Sequence, residues 1–335
     1  MKVDTRLVYG SLAEIPDLAH AAERTGFDGI WLEETAHEPF LGAALACEHT
    51  ARVDVGTNVA IAFARSPTVL AHLAWDLAAL SAGRFILGLG TQVKGHVVRR
   101  FGMPWDAPAP RLRDTIRAIR AVWAAWRSGE PLNYRGQFYT LTLMTPFFTP
   151  PHHDYPIPVA TAGVNPTMCR VAGEVADAFQ VHPLHTPSYL REVILPAIRR
   201  GERRAGRGRT VTINASVFAV LGESRSELEA ARGEVRRTIA FYASTPSYRP
   251  LLTHHGWDGI GARLSALAAR GEWIQMAGEV TDEMLETIAV SGSPREVGRQ
   301  IRARYDGLAD RVGVYLAFRP DAAARWGSVL DAARA

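Results

Sequence analysis

The sequence predicts an α/β chain closed into a (β/α)8 barrel, and three observations carry that prediction. The first is the stretch from Val53 to Gly90, VDVGTNVAIAFARSPTVLAHLAWDLAALSAGRFILGLG, which holds a complete strand, helix and strand. Val53, Val55, Val59, Ile61 and Phe63 form a β-rich run, Ser66-Pro67 supplies an N-cap and a proline suited to a first helical turn, and Gly83 ends the helix. The following run, Phe85 to Gly90, is apolar on both faces, as expected of a parallel strand covered by helices. The second observation is that this alternation recurs until eight strand-like segments span the 335 residues. The third is that no G-x-G-x-x-G turn follows the first strand, so an open dinucleotide-binding sheet lacks its phosphate loop.

Taken in order, strand one is Val3 to Val8, followed by a helix from Leu12 to Arg24 with Ile15, Leu18 and Ala22 inward and Gly26 at its end. Strand two is Phe27 to Leu32, and a short helix from Leu41 to His49 leads to the unit just described, where Leu70, Leu73, Leu77 and Leu80 make one apolar stripe. A helix from Arg111 to Arg127 precedes a proline-rich excursion at 129–156 with a hairpin near Tyr134 to Phe138. Strand five is Ile157 to Thr161, then come a helix from Pro166, strand six from Ala178 to Val181, a helix from Pro187 to Arg203 and strand seven from Val211 to Val220. A long helix, Glu223 to Tyr242, runs into a second excursion at 244–279 whose order the pattern does not give. A helix from Pro294, strand eight from Val312 to Phe318 and a closing helix complete one domain over 1–335.

Composition removes several classes of function. Net charge is +4 and the basic residues are interleaved with acids, which describes a solvated surface and not a nucleic-acid groove. Lys2 and Lys94 are the only lysines, so a Schiff-base lysine at a strand end has one candidate. Two cysteines, Cys47 and Cys169, lie far apart in helix-like segments and suggest neither a disulfide framework nor a metal site. With no apolar leader after Met1 and no bilayer-length apolar run, the expectation is a cytoplasmic protein without membrane or nucleic-acid partners.

In a barrel the chemistry gathers where strands end at the βα loops, and those positions are polar here. Glu33, Glu34, Thr35 and His37 follow strand two, Arg65 follows strand three, Thr91 and Gln92 follow strand four, and His182 and His185 follow strand six. Thr161 to Pro166 closes strand five, where Gly163 permits a close backbone approach and Asn165 can cap a helix whose N-terminus attracts anions. His182 and His185 have no carboxylate partner in sequence and lack the H-E-x-x-H spacing, so no metal is expected.

The blocks GFDGIWLEE, GTNVAIAFARSP, AWDLAALSAGRFILGLG and VAGEVADAFQVHP, in that order, resemble the bacterial luciferase-like flavin and deazaflavin oxidoreductases, in particular the branch using coenzyme F420. The resemblance implies hydride transfer between the deazaflavin and a small organic substrate, an alcohol, ketone or activated alkene, in a homodimer. It further implies a non-prolyl cis peptide at Asn58-Val59, in a bulge with Ala60 that supports the cofactor ring beside Thr91 and Gln92. The cofactor phosphate falls to Ala162, Gly163, Val164, Asn165 and Thr167. Relatives carry Asp-His after strand two where this chain has Glu34-Thr35, so His37 and Glu34 are alternative acid/base groups. Thr35, Arg65, Trp105, His182 and His185 are expected to line the substrate side. Two alternatives use the same scaffold: an FMN-dependent two-component monooxygenase, and a flavin-binding protein without catalysis.

Overall fold

A computed structural model describes residues 1–335. Eight barrel strands are formed: β1 (Lys2–Arg6), β2 (Gly29–Leu32), β3 (Asp54–Thr57), β4 (Phe85–Gly90), β5 (Val159–Gly163), β6 (Ala178–Val181), β7 (Thr212–Val217) and β8 (Arg311–Ala317). Each runs parallel to the next, and β8 closes on β1 through Lys2↔Arg311 and Val3↔Val312. A helix follows each strand, α1 (Ile15–Thr25), α2 (Pro39–Glu48), α3 (Pro67–Leu80), α4 (Pro108–Ser128), α5 (Pro166–Val175), α6 (Leu195–Arg204), α7 (Arg225–Ala243) and α8 (Ala323–Arg334), and the helix expected from Pro294 forms at Pro294–Tyr305, before β8, and packs against α8. No helix is long and apolar enough to cross a membrane.

Local chemistry accounts for the helix ends. Ser66 accepts the Val69 N–H at 3.2 Å with Pro67 in the first turn of α3, and Gly26, at φ 101°, ends α1 in the left-handed region. The buried face of α3 is Leu70, Ala71, Ala74, Trp75, Leu77 and Ala78; Leu73 is only partly buried and Leu80 is 50% exposed, so the expected leucine stripe is rotated. Alanines bring the helix close to the sheet and move the leucines to its flanks.

Strand three differs most from its sequence reading. It is not continuous to Phe63 but stops at Thr57, resumes at Ala60–Ile61 and turns into a 3-10 helix at Ala62–Ala64. Gly56 pairs with Ile86 while Ala60 pairs with Leu89, so β3 carries one residue more than β4 over this span. The Asn58–Val59 peptide within it is cis. Thr57 spans the gap: its Oγ1 donates to the Gly88 carbonyl at 2.6 Å and accepts the Gly88 N–H at 3.0 Å.

Strand seven also divides. After β7, Ala219–Leu221 leaves the barrel and pairs in parallel with Val290–Gly292, a three-residue strand too short to show a period. The second excursion is helical, with Arg249–His254, Asp258–Arg270 and Trp273–Met276. The first carries the expected hairpin, Tyr134–Arg135 against Thr140–Leu141, held to α4 by Asp114, which accepts the Phe138 and Tyr139 N–H groups.

The floor of the barrel is polar. Arg311 grips Asp4 with two bonds of 2.7 Å and also reaches Asp54, while the Trp31 indole N–H donates to Asp4 at 3.0 Å. Burial raises the Asp4 carboxyl against the lowering pull of Arg311. A Cβ on Gly29 would lie 2.4 Å from the Arg311 guanidinium and 2.7 Å from Asp4 Oδ1, so any larger residue would have to displace the pair.

Candidate active site

At the opposite end of the barrel, where the strands finish, two adjoining hollows of about 220 and 180 Å3 share Val59, Gln92, Ala162 and His182 and so form one cleft over the break in strand three. The outer hollow is bounded by Gly90 to Val93, Ala162 to Asn165, Met168, Ser247 and Tyr248. The inner one adds Glu33, Glu34, Thr35, Asn58, Gln180, Ser216, Tyr242 and Tyr315. A larger hollow lies on the outer helices among Arg295, Arg299 and Arg302, remote from the strand ends.

The outer edge ends at a helix N-terminus. Asn165 caps α5 by accepting the Met168 N–H at 3.0 Å, and neither the Val164 nor the Asn165 N–H makes a backbone hydrogen bond, which leaves donors at the positive pole of a ten-residue helix. A Cβ on Gly163 would sit 2.5 Å from the Met168 Cβ, so glycine is what allows strand and helix to meet there. Across the cleft Gln92 holds a left-handed backbone, φ 58°, with its side-chain oxygen accepting the Val93 N–H at 3.0 Å. A non-glycine residue in that region is a feature that clusters at ligand sites.

Two ion pairs wall the inner hollow. Arg65 forks onto Glu34 with two bonds of 2.9 Å, reaches Glu38 at 2.9 Å, and Glu34 also accepts the Ile61 N–H at 2.7 Å. Glu34 is thereby a brace between β2 and the end of strand three. Arg6 pairs with Glu33 at 2.9 Å and lies 4.2 Å over the Tyr315 ring. Burial raises the Glu33 carboxyl, while Arg6 opposes it.

The aromatic wall is ordered by hydrogen bonds. Nδ1 of His182 accepts the Leu184 N–H at 3.1 Å, so the neutral ring carries its proton on Nε2 and donates to Tyr248 Oη at 3.0 Å. His182 faces the cleft yet is enclosed by protein, and that burial, with His185 beside it, pushes its pKa down to about 3. His185 is buried beneath, its Nδ1 directed to the His182 carbonyl at 2.8 Å and its pKa pushed down by burial to about 4. The Tyr242 and Tyr315 hydroxyls meet at 2.9 Å.

Of the residues expected from sequence, Asn58, Val59, Thr91, Gln92, Ala162, Gly163, Val164, Asn165, Glu34, Thr35 and His182 all line the cleft. The others stand off. His37 stacks on Tyr9 at 4.9 Å, Trp105 packs against Phe63, Arg65 lies behind Glu34, and Ala60 and Thr167 do not reach the lining. Sequence reasoning missed Arg6, Glu33 as part of a pair, Ser216, Tyr242, Tyr248 and Tyr315. Tyr315 follows from the same strand-end rule once β8 is placed, whereas Tyr242 and Tyr248 arrive from the end of α7 and the segment beyond it.

In sequence and fold the chain is similar to known proteins. Residues 1–311 match the family model described as luciferase-like monooxygenase. The chain belongs to that family. Among its relatives is an uncharacterized protein of Mycobacterium tuberculosis, 46% identical over 303 residues, which is 90% of this chain and 89% of that one. An F420-dependent glucose-6-phosphate dehydrogenase of Nakamurella multipartita is 31% identical over 58% of this chain and 59% of its own length. In fold the chain is similar to the coenzyme F420-dependent tetrahydromethanopterin reductase of Methanopyrus kandleri, with a TM-score of 0.78, 21% identity and coverage of 97% and 96%. The protein is an enzyme, a luciferase-like oxidoreductase.

Proposed function

We propose that this oxidoreductase uses coenzyme F420, held in the cleft over the strand-three break, to oxidise or reduce a small organic substrate. The observation that carries the reading is the pairing of an apolar, glycine-edged slot at Val59, Gly90 and Ala162 with an unsatisfied helix N-terminus at Val164 and Asn165. A planar ring lies against the first and an anionic tail against the second. When bound, the deazaflavin supplies a site that takes up or releases hydride. The chain's own residues position the ring and the substrate, exclude water, and provide the accompanying proton. Glu34 is occupied by three donors and His37 stands outside the lining, so the proton group is sought elsewhere in the inner hollow.

The test is equilibrium titration of the purified protein with coenzyme F420 and, separately, FMN, followed by fluorescence. Micromolar or tighter F420 binding, weakened when Gly163 is replaced by valine, supports the reading. Tight FMN binding with negligible F420 binding overturns it in favour of the two-component monooxygenase.

A further inference from the structure

We infer that Tyr315, with its hydroxyl held by Tyr242, exchanges the proton with the substrate oxygen, and that the substrate is an uncharged alcohol or the matching ketone. The inference rests on the deazaflavin reading above and deepens it.

The inner hollow has few groups able to move a proton. Glu34 is engaged by Arg65 and the Ile61 N–H, and Glu33 by Arg6. His182 has both ring nitrogens committed, one to the Leu184 N–H and one to Tyr248, and its enclosure keeps it neutral. His185 lies below the lining. The two hydroxyls that meet at 2.9 Å remain. Either hydroxyl can donate in this bond; burial raises the Tyr242 phenol, so Tyr242 keeps a proton to give, and we assign it as the donor to Tyr315 Oη. In that arrangement the Tyr315 proton is free for a group in the inner hollow, which Tyr315 lines. Arg6 over one face of the ring and Phe218 at its edge, 5.4 Å between centroids, hold Tyr315 in place.

The same lining selects an uncharged substrate. No lysine or arginine lines either hollow, and the two charged groups in the inner one are carboxylates already paired from behind. A phosphate-bearing substrate would enter without a counter-charge. A hydroxyl or carbonyl finds partners instead: the Gln180 amide is 1% exposed, both its polar atoms lack a protein partner, and it lines the inner hollow with Ser216. A volume of about 180 Å3 suits a molecule of a few carbons.

In the reducing direction the carbonyl carbon receives the hydride and the carbonyl oxygen takes the Tyr315 proton, so C=O becomes CH–OH. The reduced deazaflavin loses two electrons with that hydride, and the Tyr315 phenolate regains a proton from solvent at the open mouth after product leaves. Alcohol oxidation is the reverse.

The test uses enzyme loaded with oxidised F420 and carbonyl-labelled cyclohexanone, a pairing that cannot turn over. Infrared difference spectra should show the ketone stretch shifted to lower frequency in the wild type and restored in Tyr315→Phe, with affinity about tenfold weaker. Tyr242→Phe should give an intermediate shift. Hydride transfer from reduced F420 to the ketone should slow roughly 100-fold or more in Tyr315→Phe, while F420 affinity stays at the wild-type value. An unchanged stretch in Tyr315→Phe, or displacement of cyclohexanone by micromolar glucose 6-phosphate, overturns the inference and leaves the cofactor reading standing. Failure of the wild type to bind F420 removes both.

Discussion

Replacing Gly88 by alanine tests the link between the barrel wall and the cleft. A Cβ at this position would sit 1.7 Å from the Thr57 carbonyl oxygen and 2.8 Å from its carbon, both backbone atoms. Either β4 or the strand-three break must therefore retreat by roughly 1 Å or more, in an interior packed as densely as a crystal. That retreat severs the two bonds joining Thr57 Oγ1 to Gly88, at 2.6 and 3.0 Å, and strands buried polar groups on both strands. At about 1–3 kcal/mol for each of the two lost bonds, the loss is roughly 2–6 kcal/mol, a large share of a typical stability of about 5–15 kcal/mol. Gly90 is the control: there a Cβ would meet Val59 Cγ2 at 2.5 Å, the end of a side chain that can turn aside. Urea unfolding followed by circular dichroism should place Gly88→Ala well below the wild type and Gly90→Ala near it, with F420 affinity reduced in Gly90→Ala because the apolar slot is reshaped. A wild-type midpoint for Gly88→Ala would refute the claim that glycine is required where β4 meets the break.

Three other outcomes are expected. Asp4→Asn leaves the Arg311 charge buried without its full partner and should cost about 3–5 kcal/mol in urea unfolding, because Arg311 loses a fork of two 2.7 Å bonds; a loss under about 1 kcal/mol would show that Asp54 alone suffices. Asn165→Ala removes the cap at 3.0 Å and should cost about 1 kcal/mol of stability together with some F420 affinity, and an unaltered midpoint with unaltered binding would count against the anion pole at α5. Stability should fall as pH drops below the ordinary histidine value of 6.5, since burial keeps His182 and His185 neutral down to about 3 and 4 while the unfolded chain takes up protons. The slope is up to about 1.4 kcal/mol per pH unit for each histidine. Chemical denaturation at pH 7.0, 6.0 and 5.0 measures it, and His185→Phe should flatten the slope.

Much of the architecture was legible in the sequence because it depends on local rules. Ser66-Pro67 starts a helix by capping, Gly26 ends one by adopting a left-handed φ, and a run such as Phe85 to Gly90 makes sense only when covered on both faces. The same locality placed most of the cleft-lining residues, from Asn58 to Asn165, because strand ends converge in any closed parallel barrel. What escaped were features set by distance through space. Glu34 reads as a free acid until Arg65, 31 residues on, forks onto it, and His37 reads as a candidate until Tyr9 takes its ring.

The sequence by itself determined that eight strand and helix units close into a barrel and which loop tips border the cleft, since periodicity, capping and glycine placement act over a few residues. Only the tertiary structure decided which polar groups at that mouth remain free. Tyr242 comes from the end of α7 and Tyr315 from β8, and their 2.9 Å meeting exists only after the ring of strands has closed. A titratable side chain's role depends on the burial and partners that closure brings to it, and neither is encoded in its neighbours along the chain.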